Sequence, residues 1–123
     1  MDCLVIKGGT PLKGDVKISG AKNATLPLMA ATLLTGEECV LRNLPNLSDV
    51  QFMARILKSL GASVEMNRGT IRVRAKNIGG FGDYDLIRKM RGSICILGPL
   101  MGRLNEAKVS TPGGCVSGAR PLD

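Results

Sequence analysis

Histidine and tryptophan are absent from this chain of 123 residues, and Phe52, Phe81 and Tyr84 are its only aromatic residues. Without histidine, Ser-His and Cys-His nucleophile systems are excluded within this stretch, so acid–base work falls to Cys, Lys, Asp or Glu. Cys3, Cys39, Cys95 and Cys115 are widely scattered, with no Cys-x-x-Cys pair. Such spacing, with no imidazole to add to it, argues against a zinc site, any other metal centre or a redox dithiol. The apolar runs fall short of the roughly 20 residues that span a bilayer. The N-terminus lacks the basic start and longer apolar stretch of a signal peptide. A disulfide framework is therefore not expected, and a cytoplasmic location is. Neither GxGxxG nor GxxxxGK[ST] occurs, so nucleotide binding by those modes has no support.

What is present is the material of one ordinary domain. Hydrophobic residues make up 44% and charged residues 22%, a normal globular balance. With so few aromatics the core must be built from Leu, Ile, Val, Met and Ala. Cys39 and Cys95 lie in apolar runs and are expected to be buried as small hydrophobes. The net charge is +7, which a solvated basic surface explains as readily as an anionic partner. The cations are spread along the chain, and the aromatics on which single-stranded nucleic acids stack are missing. Neither a nucleic-acid nor a membrane partner is expected; a small phosphorylated ligand fits better.

Residues 16–19 alternate and end at Gly20, predicting a short strand. Residues 23–35 read as a helix closed by Gly36, with Pro27 near its first turn. Residues 38–43 predict a strand with Cys39 and Leu41 on one face and Val40 on the other. Ser48 reads as the N-cap of a helix reaching Leu60, with Asp49 favourably placed for the dipole and Gly61 as the stop. Val50, Met53, Ala54, Leu57 and Leu60 share its apolar face. Residues 63–66 and 70–74 form a hairpin around Asn67-Arg68-Gly69, with Ile71 and Val73 inward. The order is that of a compact α/β unit, its helices covering a sheet face.

After the glycine-rich loop at 78–83, one long helix is expected from Tyr84 or Asp85 towards Leu104. Leu86, Met90, Ile94, Leu97 and Met101 recur at helical spacing, Met90 and Met101 read as core, and Pro99 should bend the helix. Residues 107–111 predict a further strand. The chain stops at Pro121-Leu122-Asp123 without a closing turn or helix, as a truncated sequence would.

The best candidate for chemistry is Cys115, within Pro112-Gly-Gly-Cys-Val-Ser-Gly-Ala-Arg-Pro121. Its glycines let the backbone approach a ligand closely, and Arg120 nearby favours the reactive thiolate. Ser19-Gly20-Ala21-Lys22 is echoed by Ser117-Gly118-Ala119-Arg120. Both place a cation at a strand-to-helix junction, where free N–H groups favour phosphate or carboxylate. Arg88 and Lys89 read as a solvated basic face. Arg91 differs, since the small Gly92-Ser93 pair after it leaves room for a ligand.

Ile18-Ser-Gly-Ala-Lys-Asn-Ala24, Tyr84-Asp85-Leu86, Met90-Arg91-Gly92-Ser93 and the Pro112–Pro121 run resemble the UDP-N-acetylglucosamine 1-carboxyvinyltransferase family. The likeness covers essentially the whole chain, in order. It implies the α/β enolpyruvyl transferase fold, an inside-out α/β barrel of repeated βαβαββ units, with only part of it present. On that pattern residues 1–20 pack with another domain, and 21–123 form an incomplete first domain. Its first unit is at about 15–75, and the next starts at about 84–123. The missing remainder includes a second domain that supplies a catalytic aspartate and another arginine.

The implied reaction moves enolpyruvyl from phosphoenolpyruvate to the 3-hydroxyl of UDP-N-acetylglucosamine and releases phosphate, without cofactor or metal. That is the first committed step of peptidoglycan synthesis, on which cell wall, cell shape and division depend. By the resemblance, Cys115 is the proton donor and fosfomycin target, and Lys22 and Asn23 contact phosphoenolpyruvate. Arg91, Arg120, Pro121, Leu122 and Asp123 contact the sugar nucleotide. Little turnover is expected of this stretch alone. The alternatives are the shikimate-pathway enolpyruvyl transferase and a non-catalytic basic module that binds phosphorylated ligands or nucleic acid.

Overall fold

A computed structural model of the chain describes residues 2–81 and 84–109, Tyr84 by its backbone only. The helix α1, Lys22–Ala31, passes directly into a 3-10 turn, Thr32–Leu34. Then come β1 (Glu38–Leu41), α2 (Ser48–Ser59), β2 (Ser63–Asn67) and β3 (Thr70–Arg74). A short α3 (Tyr84–Ile87), a 3-10 segment (Arg91–Ile96) and α4 (Leu97–Leu104) follow.

The three strands form an antiparallel sheet in the order β1-β3-β2. Cys39 pairs with Val73 and Leu41 with Ile71 across β1 and β3, so these four share a face as the period of two requires. Ile71 and Val73 are fully buried, and Arg72 points the other way to Glu38, 3.1 Å from Oε1. The hairpin is tighter than its sequence suggests: Asn67 belongs to β2 and pairs with Thr70. Arg68 (φ 44°) and Gly69 (φ 76°) alone make the turn, the double left-handed geometry that matches strand twist.

α2 and the 3-10 turn Thr32–Leu34 pack on the sheet, and α1 packs beside α2. Val50, Met53, Ala54, Leu57 and Leu60 are all buried, joined by Ile56. Ser48 is the first helical residue of α2; Leu47 takes the cap position, with no side-chain cap bond. At the other end Gly61 (φ 102°) donates to the Lys58 carbonyl at 3.0 Å, and Ala62 to that of Leu57 at 3.1 Å. That pair of bonds is the Schellman closure, which glycine permits. Met29, Leu33, Ile87, Ile96 and Leu100 complete the core. Cys95 is half-buried against that core and Cys39 is half-buried, rather than fully enclosed.

Further expectations are corrected. Residues 16–19 form no strand, because strand geometry needs a strand to bond and no described strand pairs with them. Val16 and Ile18 are instead exposed. The long helix over 84–104 is broken at Met90, whose φ of −137° and ψ of 121° are extended. The break rotates the following residues, so Ser93, Ile96 and Leu100 face the core while Leu97 and Met101 are exposed and only Met90 of the two methionines is core. Pro99 is the third residue of α4, in its first turn rather than inside one long helix, a position that proline tolerates. Of the strand expected over 107–111, the described part shows an isolated parallel bridge between Phe81 and Lys108.

Candidate active site

The described part of the site is built on the start of α1. Ala21 is its extended cap residue and makes no side-chain cap bond, and Lys22 is the first helical residue. The N–H groups of such a turn point outward along the positive end of the helix dipole, which favours an anion. The Thr25 N–H and its Oγ1 both donate to the Ala21 carbonyl, at 3.0 and 2.8 Å, fixing the turn. Asn23 is exposed beside Lys22.

Gly20 explains how the chain enters this helix. A Cβ there would lie 1.9 Å from the carbonyl oxygen of Asn43, so only glycine lets the entry turn rest on that backbone. Asn43 is itself left-handed, at φ 59°. On the far side, Lys22 Nζ donates to Asp49 Oδ2 at 3.0 Å. Asp49 is the second residue of α2, so the first turns of α1 and α2 lie side by side.

Arg91 opens the 3-10 segment and is half-buried. Its neighbour Gly92 abuts α1: a Cβ there would meet Leu26 Cδ1 at 2.9 Å. Leu26 is one turn along from Lys22, so the fold brings Arg91 to the first turns of α1. The Gly92-Ser93 pair does not leave room for a ligand. Gly92 serves close helix packing, and Ser93 is fully buried, its Oγ 2.8 Å from the Ile87 carbonyl and 2.5 Å from that of Met90. Those bonds pin the break that sets where Arg91 emerges. Arg88 and Lys89 are exposed.

Cys115, Arg120, Pro121, Leu122 and Asp123, with the rest of the repeated Ser-Gly-Ala run, lie outside the described residues. Among the described residues, Cys3, Cys39 and Cys95 are free thiols, and no group of His, Cys, Asp or Glu could hold a metal ion. No described helix is long and apolar enough to cross a membrane.

Sequence reasoning missed Arg103. Its guanidinium reaches the carbonyls of Leu33, Thr35, Ala75 and Lys76. No local signal could have found it, since these acceptors are 27 to 70 residues away in the chain. Asp49 was legible as a dipole partner but not as the partner of Lys22. The role of Ser93 depends on a helix break that periodicity hides.

Residues 6–123 match the family model described as EPSP synthase (3-phosphoshikimate 1-carboxyvinyltransferase). The chain belongs to this family. Across all 123 residues it is 57% identical to a UDP-N-acetylglucosamine 1-carboxyvinyltransferase of Methylacidiphilum infernorum and 51% identical to one of Akkermansia muciniphila. A protein of the same name from Helicobacter pylori (strain ATCC 700392 / 26695) is 52% identical over 125 aligned positions. The chain spans 29–30% of the length of these curated relatives. The crystal structure of the enolpyruvyl transferase NikO from Streptomyces tendae superposes with a TM-score of 0.66 at 25% identity. That match covers 76% of this chain and 22% of NikO. The mixed α/β arrangement described above is therefore part of the enolpyruvyl transferase fold.

Proposed function

We propose that this sequence encodes part of an enzyme that transfers the enolpyruvyl group of phosphoenolpyruvate to the 3-hydroxyl of UDP-N-acetylglucosamine, releasing phosphate. The observation that carries this reading is identity of 57% over the whole chain to a relative named for that reaction. The shikimate-pathway transferase, whose name the family model bears, shares the chemistry; the high-identity relatives favour the sugar-nucleotide acceptor. The product would feed peptidoglycan synthesis, and both charged substrates would be met in the cytoplasm.

Lys22, at the uncapped start of α1, supplies the cation and the helix N–H groups that a phosphate dianion needs. Asn23 beside it offers a neutral amide to phosphoenolpyruvate, with two donors and an acceptor. Arg91 reaches the same turns of α1 and, with Arg120, balances the charge of the sugar nucleotide. Pro121, Leu122 and Asp123 complete that side of the site.

Cys115 gives its thiol proton to the methylene carbon of phosphoenolpyruvate, which leaves oxocarbenium character at the carbon bearing the phosphate. The sugar hydroxyl attacks that carbon, and its proton is carried away by the phosphate that later departs. Loss of a methyl proton back to the sulfur, with departure of phosphate, restores the double bond. The atoms balance without redox chemistry. The same sulfur can instead attack the cationic centre, and its nucleophilicity makes it the expected target of the epoxide fosfomycin.

The test uses the complete protein that carries this sequence. Phosphate release from phosphoenolpyruvate should require UDP-N-acetylglucosamine and fall at least about 100-fold in Cys115→Ala. After fosfomycin treatment with sugar nucleotide present, mass spectrometry should find one adduct, on Cys115, and none in Cys115→Asp. Phosphate release driven by shikimate 3-phosphate instead, or labelling spread over Cys3, Cys39 and Cys95, would refute the reading.

A further inference from the structure

Arg103, on the helix that precedes the Cys115 stretch in sequence, ties the end of the α1 rod to the chain after β3, and no role given above includes it. It lies in the last turn of α4 and is half-buried. Nη1 is 2.9 Å from the Leu33 carbonyl and 3.2 Å from that of Thr35, and also contacts the Ala75 carbonyl; Nη2 donates to Lys76 at 3.1 Å. Leu33 and Thr35 close the rod made of α1 and its 3-10 turn, whose other end bears Lys22 and Asn23. Ala75 and Lys76 follow β3 directly. A cation at this carbonyl-rich end also complements the rod's dipole. The planar guanidinium has five donors on a fixed fork and can serve divergent carbonyls at once, which the single nitrogen of a lysine cannot.

The chain beyond Arg103 is equally constrained. Asn105 closes α4 in the left-handed region, at φ 55°. The Lys108 N–H donates to the Gly80 carbonyl at 2.9 Å, and a Cβ on Gly80 would lie 2.8 Å from the Glu106 carbonyl oxygen. Ala107 and Val109 pack on the core. Residues 105–109 thus form an anchored stem, and Cys115 follows six residues after Val109.

We propose that Arg103 is a positioning residue for enolpyruvyl transfer: its guanidinium locks the rod bearing Lys22 and Asn23 to the stem that leads to Cys115. The inference rests on the function proposed above. Arg103 touches no substrate; it acts through a rod about 20 Å long. A close-packed helix does not compress, so a shift at the clamped end reaches Lys22. Misplacement of a substrate-holding group by about 1 Å can cost roughly 100-fold in rate.

The experiment compares the complete protein with its Arg103→Gln and Arg103→Lys variants, each assayed well below its own melting temperature. In Arg103→Gln, kcat should fall at least about tenfold, with either KM changed less than about threefold, and Arg103→Lys should not restore it. Spin labels on Asn23→Cys and Lys108→Cys, with Cys3, Cys39, Cys95 and Cys115 replaced by serine, should give one narrow distance that shifts or broadens in Arg103→Gln. A lowered melting temperature with kcat per folded molecule within about twofold of the parent would make Arg103 merely structural and overturn the proposal. An unchanged label distance, or one already broad in the parent, would overturn it too. If Arg103→Gln does not fold, Arg103→Lys carries both measurements. A parent without turnover refutes the function proposed above, whereas the label distances judge the clamp independently.

Discussion

Replacing Gly20 by alanine drives a methyl group into backbone. The added carbon would lie 1.9 Å from the Asn43 carbonyl oxygen, 3.1 Å from its carbon and 3.4 Å from Pro45 Cδ. Carbon–oxygen contacts in proteins settle at about 3.3 Å, so the two segments must part by about 1.4 Å. Asn43 cannot easily retreat: it is already left-handed, and the next residue, Leu44, donates to the Gly69 carbonyl at 2.8 Å. The strain therefore falls on residues 19–21 and displaces Lys22 from Asp49. Overpacking costs about 1–3 kcal/mol, and contact with backbone rather than a movable side chain puts Gly20→Ala near the upper figure. For a chain of this size that lowers the melting temperature by about 12 °C.

Gly79→Ala is the control. Apart from its chain neighbours nothing lies within 4 Å of a Cβ at the exposed Gly79, whose φ is not left-handed, so alanine there should change stability by less than about 0.5 kcal/mol. Thermal unfolding of the two variants beside the parent decides. In the complete protein, Gly20→Ala should also raise the KM for phosphoenolpyruvate, since the cation proposed to hold it has moved. A Gly20→Ala melting temperature within about 2 °C of the parent, or a Gly79→Ala loss as large as that of Gly20→Ala, would refute the steric argument.

Ser93→Ala removes a fully buried hydroxyl from the carbonyls of Ile87 and Met90, and should cost about 1–3 kcal/mol by denaturant unfolding; no loss would mean that the break at Met90 does not depend on it. Asp49→Asn leaves Lys22 without its anionic partner 3.0 Å away, but both side chains are substantially exposed. Stability should change by less than about 1 kcal/mol, whereas Lys22→Gln should raise the KM for phosphoenolpyruvate in the complete protein. Equal KM values in Lys22→Gln and the parent would remove Lys22 from the site.

Where a segment's pattern and its packing agreed, the sequence was enough. α2 shows this: its buried residues recur at helical spacing, and Gly61 closes it with local bonds. The β2–β3 hairpin is similar, because alternation and the Arg68-Gly69 turn both act within a few residues. The stretch 84–104 misled because its apolar spacing continues through a break made by other parts of the fold. Ser93 satisfies buried carbonyls there, and Gly92 admits Leu26 from α1. Residues 16–19 alternate as a strand should, yet alternation supplies no hydrogen-bond partner.

The sequence by itself determined the family, through residues 6–123, and the residue types available to the proposed site: a thiol at Cys115, cations at Lys22, Arg91 and Arg120, and no imidazole. Those are matters of residue identity and order. Only the tertiary structure decided that Lys22 is held by Asp49, that Arg91 emerges beside the first turns of α1, and that Arg103 clasps four carbonyls from two separate segments. The physical reason is range. Propensity, periodicity and turn geometry act over a few residues, whereas each of these contacts joins groups at least 27 residues apart.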